Sequence, residues 1–139
     1  MDFLVGSRVE IVGFEAGMTN SYYAGTVVGY SRNARVRVKY DTLTANGEAR
    51  IDDFTRSDIR PYPADVNINI GVGDIVDVWE NHGWWMGKCI AVNTRTDEYT
   101  VVKEIDNRSR KYERDDVRIN QLWFPAGASR FWCYTNNLY

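Results

Sequence analysis

The chain has 139 residues, of which 44% are hydrophobic, 14% aromatic and 26% charged, and its 17 Lys and Arg against 19 Asp and Glu give a formal charge of −2. That length holds one ordinary domain or two very small ones, and the aromatic content is high for a chain of this size. The acidic balance, with a pI near 5.4, counts against a nucleic-acid partner, which would need a surplus of Lys and Arg to displace counterions, and no apolar run approaches the roughly 18 residues of a membrane span.

The opening MDFLVGSRVEIVG lacks the basic start and long apolar stretch of a signal peptide, so an intracellular location is expected. Within it RVEIV, residues 8–12, reads as a strand. GTVVGY at 25–30 and ARVRVKY at 34–40 follow, divided by the turn-formers SRNA, and TANGE at 44–48 makes the next turn. All three segments alternate or run β-branched, which is strand patterning. The basic run RNARVRVK at 32–39 alternates too, so it reads as a solvated strand face. PYPADVNINIG at 61–71 is a stiff connector, because its two prolines interrupt strand and helix alike. DIVDVW at 74–79, GKCIAV at 87–92 and EYTVVKE at 98–104 are three further strands, the last two divided by the polar turn NTRTDE. The tail INQLWFPAGASRFWCYTNNLY is too aromatic for a solvated end. Leu122, Trp123, Phe124, Phe131 and Trp132 are expected to cover a seam between two packed units.

Those segments repeat. GSRVEI at 6–11 answers GDIVDV at 73–78, YYAGTVV at 22–28 answers WWMGKCI at 84–90, VRVKYD at 36–41 answers YTVVKE at 99–104, and RSDIRP at 56–61 answers RDDVRI at 114–119. Four blocks recurring in one order make the chain two copies of one unit. No stretch carries a 3.6-residue apolar period, so long helices are not expected. Each copy is a small, strongly bent antiparallel sheet or barrel.

Catalytic constellations are missing from the sequence. His82 is the single histidine and sits in the turn WENHGW; Cys89 and Cys133 lie far apart and suit neither a disulfide framework nor a metal site. GVGD at 71–74 lacks the Lys-Ser/Thr pair of a phosphate loop. No catalytic residue, metal or cofactor is expected. Aromatic rings gathered at the open end of a small barrel, with a carboxylate nearby, would instead make a cage for a methylated ammonium. Each ring face contributes about 0.5 to 2 kcal/mol to a cation, and the acid accepts any remaining N–H.

VEIVGFEAGMTNSYYAGTVV, VKYDTL and RSDIRP resemble the first unit of a plant tandem Agenet module, and VGDIVDVWENHGWWMGKCIAV, YTVVKE, RDDVRINQLW and RFW resemble its second unit and closing segment. The resemblance covers nearly the whole chain. It implies an all-β fold of two tandem SH3-like, Tudor-like five-stranded barrels packed as one unit. The first spans 1–63, and 64–139 holds the connector, the second barrel and a C-terminal packing segment.

The resemblance also implies a function: a nuclear chromatin reader whose partner is a methylated histone tail, with dimethylated lysine 9 of histone H3 favoured. Carried over by position, the methyl-lysine cage of the first copy falls on Phe14, Tyr23 and Tyr40, with Asp41 beside the last and Tyr22 sharing the doublet. The sequence departs from the family where a Gly-Phe pair is usual, placing Gly17-Met18 there and Phe14 four residues earlier. In the second copy the positions fall on Trp79, Trp85 and Lys103. The lysine leaves that cage incomplete, while Asp77, Glu80, Glu104 and Asp106 suit it to unmodified basic residues or a free amino end. Peptide contacts are therefore expected at Trp79, Glu80, Trp85, Glu104 and Asp106. For each ring the alternative is core packing. For the protein the alternatives are a methylation-independent interaction scaffold and, third, a nucleic-acid-binding module.

Overall fold

In the computed structural model of the protein the described residues are 3–13, 20–64, 68–124 and 131–135. The chain divides into two compact units, Met1–Pro63 with Asn81–Gly83, and Ala64–Glu80 with Trp84–Tyr139.

In the first unit β1 (Arg8–Val12), β2 (Ser21–Tyr30), β3 (Val36–Ala45), β4 (Glu48–Phe54) and β5 (Ile59–Pro61) form one antiparallel sheet in the order β5-β1-β2-β3-β4. A 3-10 turn, Arg56–Asp58, leads into β5. Strict alternation on β3 buries Val36, Val38 and Tyr40 and exposes Arg37, Lys39 and Asp41. The basic run is thus a solvated face, with Arg37 held by Asp53 on the neighbouring strand at 2.8 Å. Val9, Ile11, Val27, Val36, Val38, Phe54 and Ile59 make the core. The β3–β4 hairpin closes on Asn46-Gly47, both at positive φ (54° and 81°), the mirror-image turn whose twist suits paired strands.

The second unit repeats this plan with β6 (Ile75–Glu80), β7 (Gly83–Asn93), β8 (Glu98–Lys103), β9 (Ser109–Glu113) and β10 (Val117–Ile119), and a 3-10 turn, Arg114–Asp116, before the last. The correspondence extends to irregularities. β2 slips register against β3 between Val27 and Gly29, and β7 slips against β8 between Cys89 and Ala91, the same place in the repeat. Within the same unit a short antiparallel pair, β11 (Gln121–Phe124) with β12 (Phe131–Tyr134), follows β10. Trp123 and Trp132 pair across it, ring centroids 5.2 Å apart. No α-helix is found among the described residues.

The glycine that follows each doublet by two residues has a steric reason. A Cβ on Gly25 would lie 2.6 Å from Val38 Cγ1 and 2.8 Å from the Lys39 carbonyl; one on Gly87 would lie 2.6 Å from the Val102 carbonyl and 2.7 Å from Val101 Cγ1. In both copies the third strand crosses so close that only a hydrogen fits.

Candidate functional site

The doublets divide their two rings between two faces, as strand alternation requires. The first ring of each lies beneath an arginine, buried in the first copy and half-buried in the second. Glu10 on β1 is fully buried and accepts from Arg60 Nε at 3.0 Å and Nη2 at 2.8 Å, while the Arg60 guanidinium lies 3.7 Å from the Tyr22 ring centroid. The second copy repeats the triad. Asp77, also fully buried, accepts from Arg118 Nε at 2.9 Å and from Asn120 Nδ2 at 2.7 Å, and Arg118 stacks 4.4 Å from the Trp84 centroid. Trp79 meets Trp84 edge-on at 5.4 Å. Tyr22 and Trp79 thus belong to this arginine face, the face opposite that of Tyr23 and Trp85.

The second ring of the first doublet begins an aromatic cluster. Tyr23 and Tyr40 meet edge to face with centroids 6.5 Å apart, and Tyr40 meets Phe54 in the same way at 6.0 Å. All three are buried, at 4%, 5% and 3% exposure, and burial pushes the Tyr23 phenol up from its ordinary pKa. The Arg50 guanidinium lies 5.4 Å from the Tyr40 centroid, and its Nε donates to Asp52 at 2.5 Å. Asp41, adjacent to Tyr40 and so on the other face of β3, pairs with Arg8 through both carboxylate oxygens. Arg8 in turn lies 5.5 Å from the Tyr62 ring centroid. Phe14 and Met18 lie outside the described residues. Phe54, Arg50 and Asp52 were not singled out from the sequence, because EARIDDF lacks the alternation that marks a strand.

In the second unit the equivalent positions hold Trp85, Lys103 and Tyr112, and Glu80 joins them. Its carboxylate accepts from Lys103 Nζ, from Arg110 Nη1 and, at 3.3 Å, from the Tyr112 hydroxyl. Its backbone carbonyl accepts from Trp85 Nε1 at 2.7 Å. Burial and the Glu80 charge push the Tyr112 phenol up. Asp106 lies 3.4 Å from Lys103 and accepts from the Arg108 N–H at 3.0 Å, and these contacts, the N–H first, hold its carboxyl below the ordinary value. Glu104 alternates away from Lys103. It lines an open cleft of about 660 Å³ with Met86, Lys88, Thr135 and residues 72–75. Of the five expected peptide contacts, the structure gathers Glu80, Trp85 and Asp106 around Lys103, and places Trp79 and Glu104 elsewhere.

Residues 6–64 match the family model of the Agenet domain. Over 132 residues the chain is 27% identical to Protein AGENET DOMAIN (AGD)-CONTAINING P1 of Arabidopsis thaliana; the alignment covers 85% of this chain and 25% of that protein, so the chain spans about a quarter of its relative's length. The crystal structure of AGD34 of Arabidopsis thaliana AGDP1 superposes with a TM-score of 0.80 at 24% identity, covering 86% of this chain and 83% of the other. That of ADCP1 tandem Agenet domain 3-4 gives a TM-score of 0.73, also at 24% identity, covering 86% and 81%.

The chain has the tandem Agenet fold. Within that fold its two copies differ at one cluster of side chains. The first Agenet-like copy keeps rings at all three positions, Tyr23, Tyr40 and Phe54, whereas the second keeps Trp85 and Tyr112 around the Lys103–Glu80 pair. His82, with Asn81, forms the two-residue turn between β6 and β7, at φ 67° and 50°, and is exposed.

Proposed function

We propose that the protein is a nuclear chromatin-binding module, not an enzyme, that reads a methylated histone tail through the first unit, with dimethylated lysine 9 of histone H3 the favoured ligand. The observation that carries this reading is the Tyr23–Tyr40–Phe54 cluster with a cation, Arg50, already over the Tyr40 face. Aromatic faces hold cations by their quadrupole, and methylation lowers the hydration that an ammonium must give up to reach them. The second unit supports the tail without reading methylation, because its equivalent pocket already contains a lysine ammonium and that ammonium's counter-ion.

Calorimetry with histone H3 tail peptides tests the reading: the lysine 9-dimethylated form should bind at least several-fold tighter than the unmodified form. Tyr40→Ala should erase the difference while circular dichroism shows the fold retained. Burial of Tyr23 and Tyr40 favours the rival reading, a methylation-independent interaction scaffold. Equal affinity for the two peptides, or loss of the fold in Tyr40→Ala, would return those rings to the core and leave that rival standing.

A further inference from the structure

Arg50, Asp52 and Phe54 are alternate residues of β4, so they share one face, and it is the face that brings Phe54 against Tyr40. The opposite face carries exposed Ile51 and the Asp53 that holds Arg37. A guanidinium is planar, weakly hydrated and stacks on aromatic rings, which makes it a good occupant of a surface shaped for a methylated ammonium. Arg50 is held there from both sides, by the Tyr40 ring at 5.4 Å and by Asp52 at 2.5 Å. It remains about a third exposed, as does Asp52, so both can exchange partners without opening the core. Asp41 cannot serve as the acid of this site, since it lies on the other face of β3 with Arg8.

We propose that Arg50 is a resident cation of the first unit's aromatic site and Asp52 its counter-ion, and that a methylated lysine binds by displacing Arg50 and taking over both partners. Asp52 then accepts the single N–H that a dimethylammonium retains and a trimethylammonium lacks, which makes it the residue that sets methylation state. The second unit shows the same economy with charges rearranged. Lys103 stands where Tyr40 does and Arg110 where Asp52 does, both held by Glu80. There the resident cation is part of the buried framework and does not exchange.

This inference rests on the methyl-lysine reading of the cluster, and the experiment separates the two. The full chain and its Arg50→Ala and Arg50→Gln variants are titrated calorimetrically with unmodified, dimethylated and trimethylated lysine 9 peptides of histone H3. A resident competitor lowers apparent affinity by the fraction of time it occupies the site, so its removal tightens the dimethylated peptide by about two- to fivefold. Adding Asp52→Asn to Arg50→Ala should weaken the dimethylated peptide about tenfold and the trimethylated one less. If the unaltered chain discriminates methylated from unmodified peptide but neither Arg50 variant binds tighter, the inference is overturned and the methyl-lysine reading stands. If neither the chain nor the variants discriminate, the reading itself fails. Arg50→Gln keeps most of the aliphatic stem, so tightening shared by both variants reports the lost charge and not altered packing.

Discussion

Glu10 and Asp77 have no access to solvent, and a carboxylate so placed needs hydrogen-bonded partners, of which an arginine is one in each copy and Asn120 a second at Asp77. The ring beneath each guanidinium completes the arrangement: Tyr22 and Trp84 lie against the cation where water would otherwise be needed. Arg60→Met should therefore cost about 3–5 kcal/mol by leaving Glu10 buried without its partner. Glu10→Gln combined with Arg60→Met should cost clearly less than that single change. Urea denaturation checks this, and a double variant as damaged as the sum of its singles overturns it. The triad was legible in part. The acid, the doublet and the arginine all sit inside the four repeated blocks, so the repeat marked them, but nothing in their spacing said that they meet. Strand parity, applied to Tyr40-Asp41 and Lys103-Glu104, does separate each pair between two faces. Family position places Asp41 beside the cage and the local wealth of carboxylates places Glu104 beside the second site, and neither takes account of that parity.

At the scale of the strand, a single hydrogen at Gly25 and Gly87 lets the third strand cross the second. Gly25→Ala and Gly87→Ala should each destabilise by about 1–3 kcal/mol, since the blocking atoms include a backbone carbonyl that cannot rotate away. Gly29, whose added Cβ would meet nothing within 4 Å, is the control: Gly29→Ala should lower the urea midpoint far less. Equal losses at all three positions would remove the crossing as the cause. The longer strands were readable because β3 alternates from Val36 to Asp41 and β1, β7 and β8 carry β-branched residues. β4 and β9 were not. EARIDDF buries only its last residue fully, and SRKYE buries only Tyr112, so neither shows a period-two apolar pattern. Without that pattern on β4 the sequence does not mark Phe54, Arg50 and Asp52 as site residues, and the acid that adjoins Tyr40 in sequence, Asp41, lies on the opposite face from the one across the sheet, Asp52. β5 and β10 have three residues each, too few for any periodicity; only the repeat drew attention to them.

Across the whole molecule, ionisable groups are shifted in two opposite senses, and together they bound the pH range of stability. Asp53, hydrogen-bonded by Arg37, and Asp106, held by the Arg108 N–H and Lys103, have carboxyls below their ordinary values. A depressed carboxyl contributes stability that is complete above its unfolded value near pH 4 and is lost as the pH falls through the lower folded value. Tyr23, Tyr99, Tyr112 and the Cys89 thiol are raised, in each case chiefly by burial. For these acids the folded state resists the anion. Their contribution is complete below the unfolded values, about 8.5 for a thiol and about 10 for a phenol, and is lost as the pH climbs toward the higher folded values. The urea midpoint should therefore be flat between about pH 5 and 8 and fall on both sides. Tyr112 is the most shifted phenol, raised first by its burial and then by the Glu80 carboxylate that faces it, so Tyr112→Phe should make the alkaline fall shallower and leave the acid fall unchanged. An alkaline limb identical in slope to that of the unaltered chain would mean that Tyr112 does not titrate with unfolding. The buried Glu80–Lys103–Tyr112 network would then lie outside the part of the molecule whose opening limits its stability.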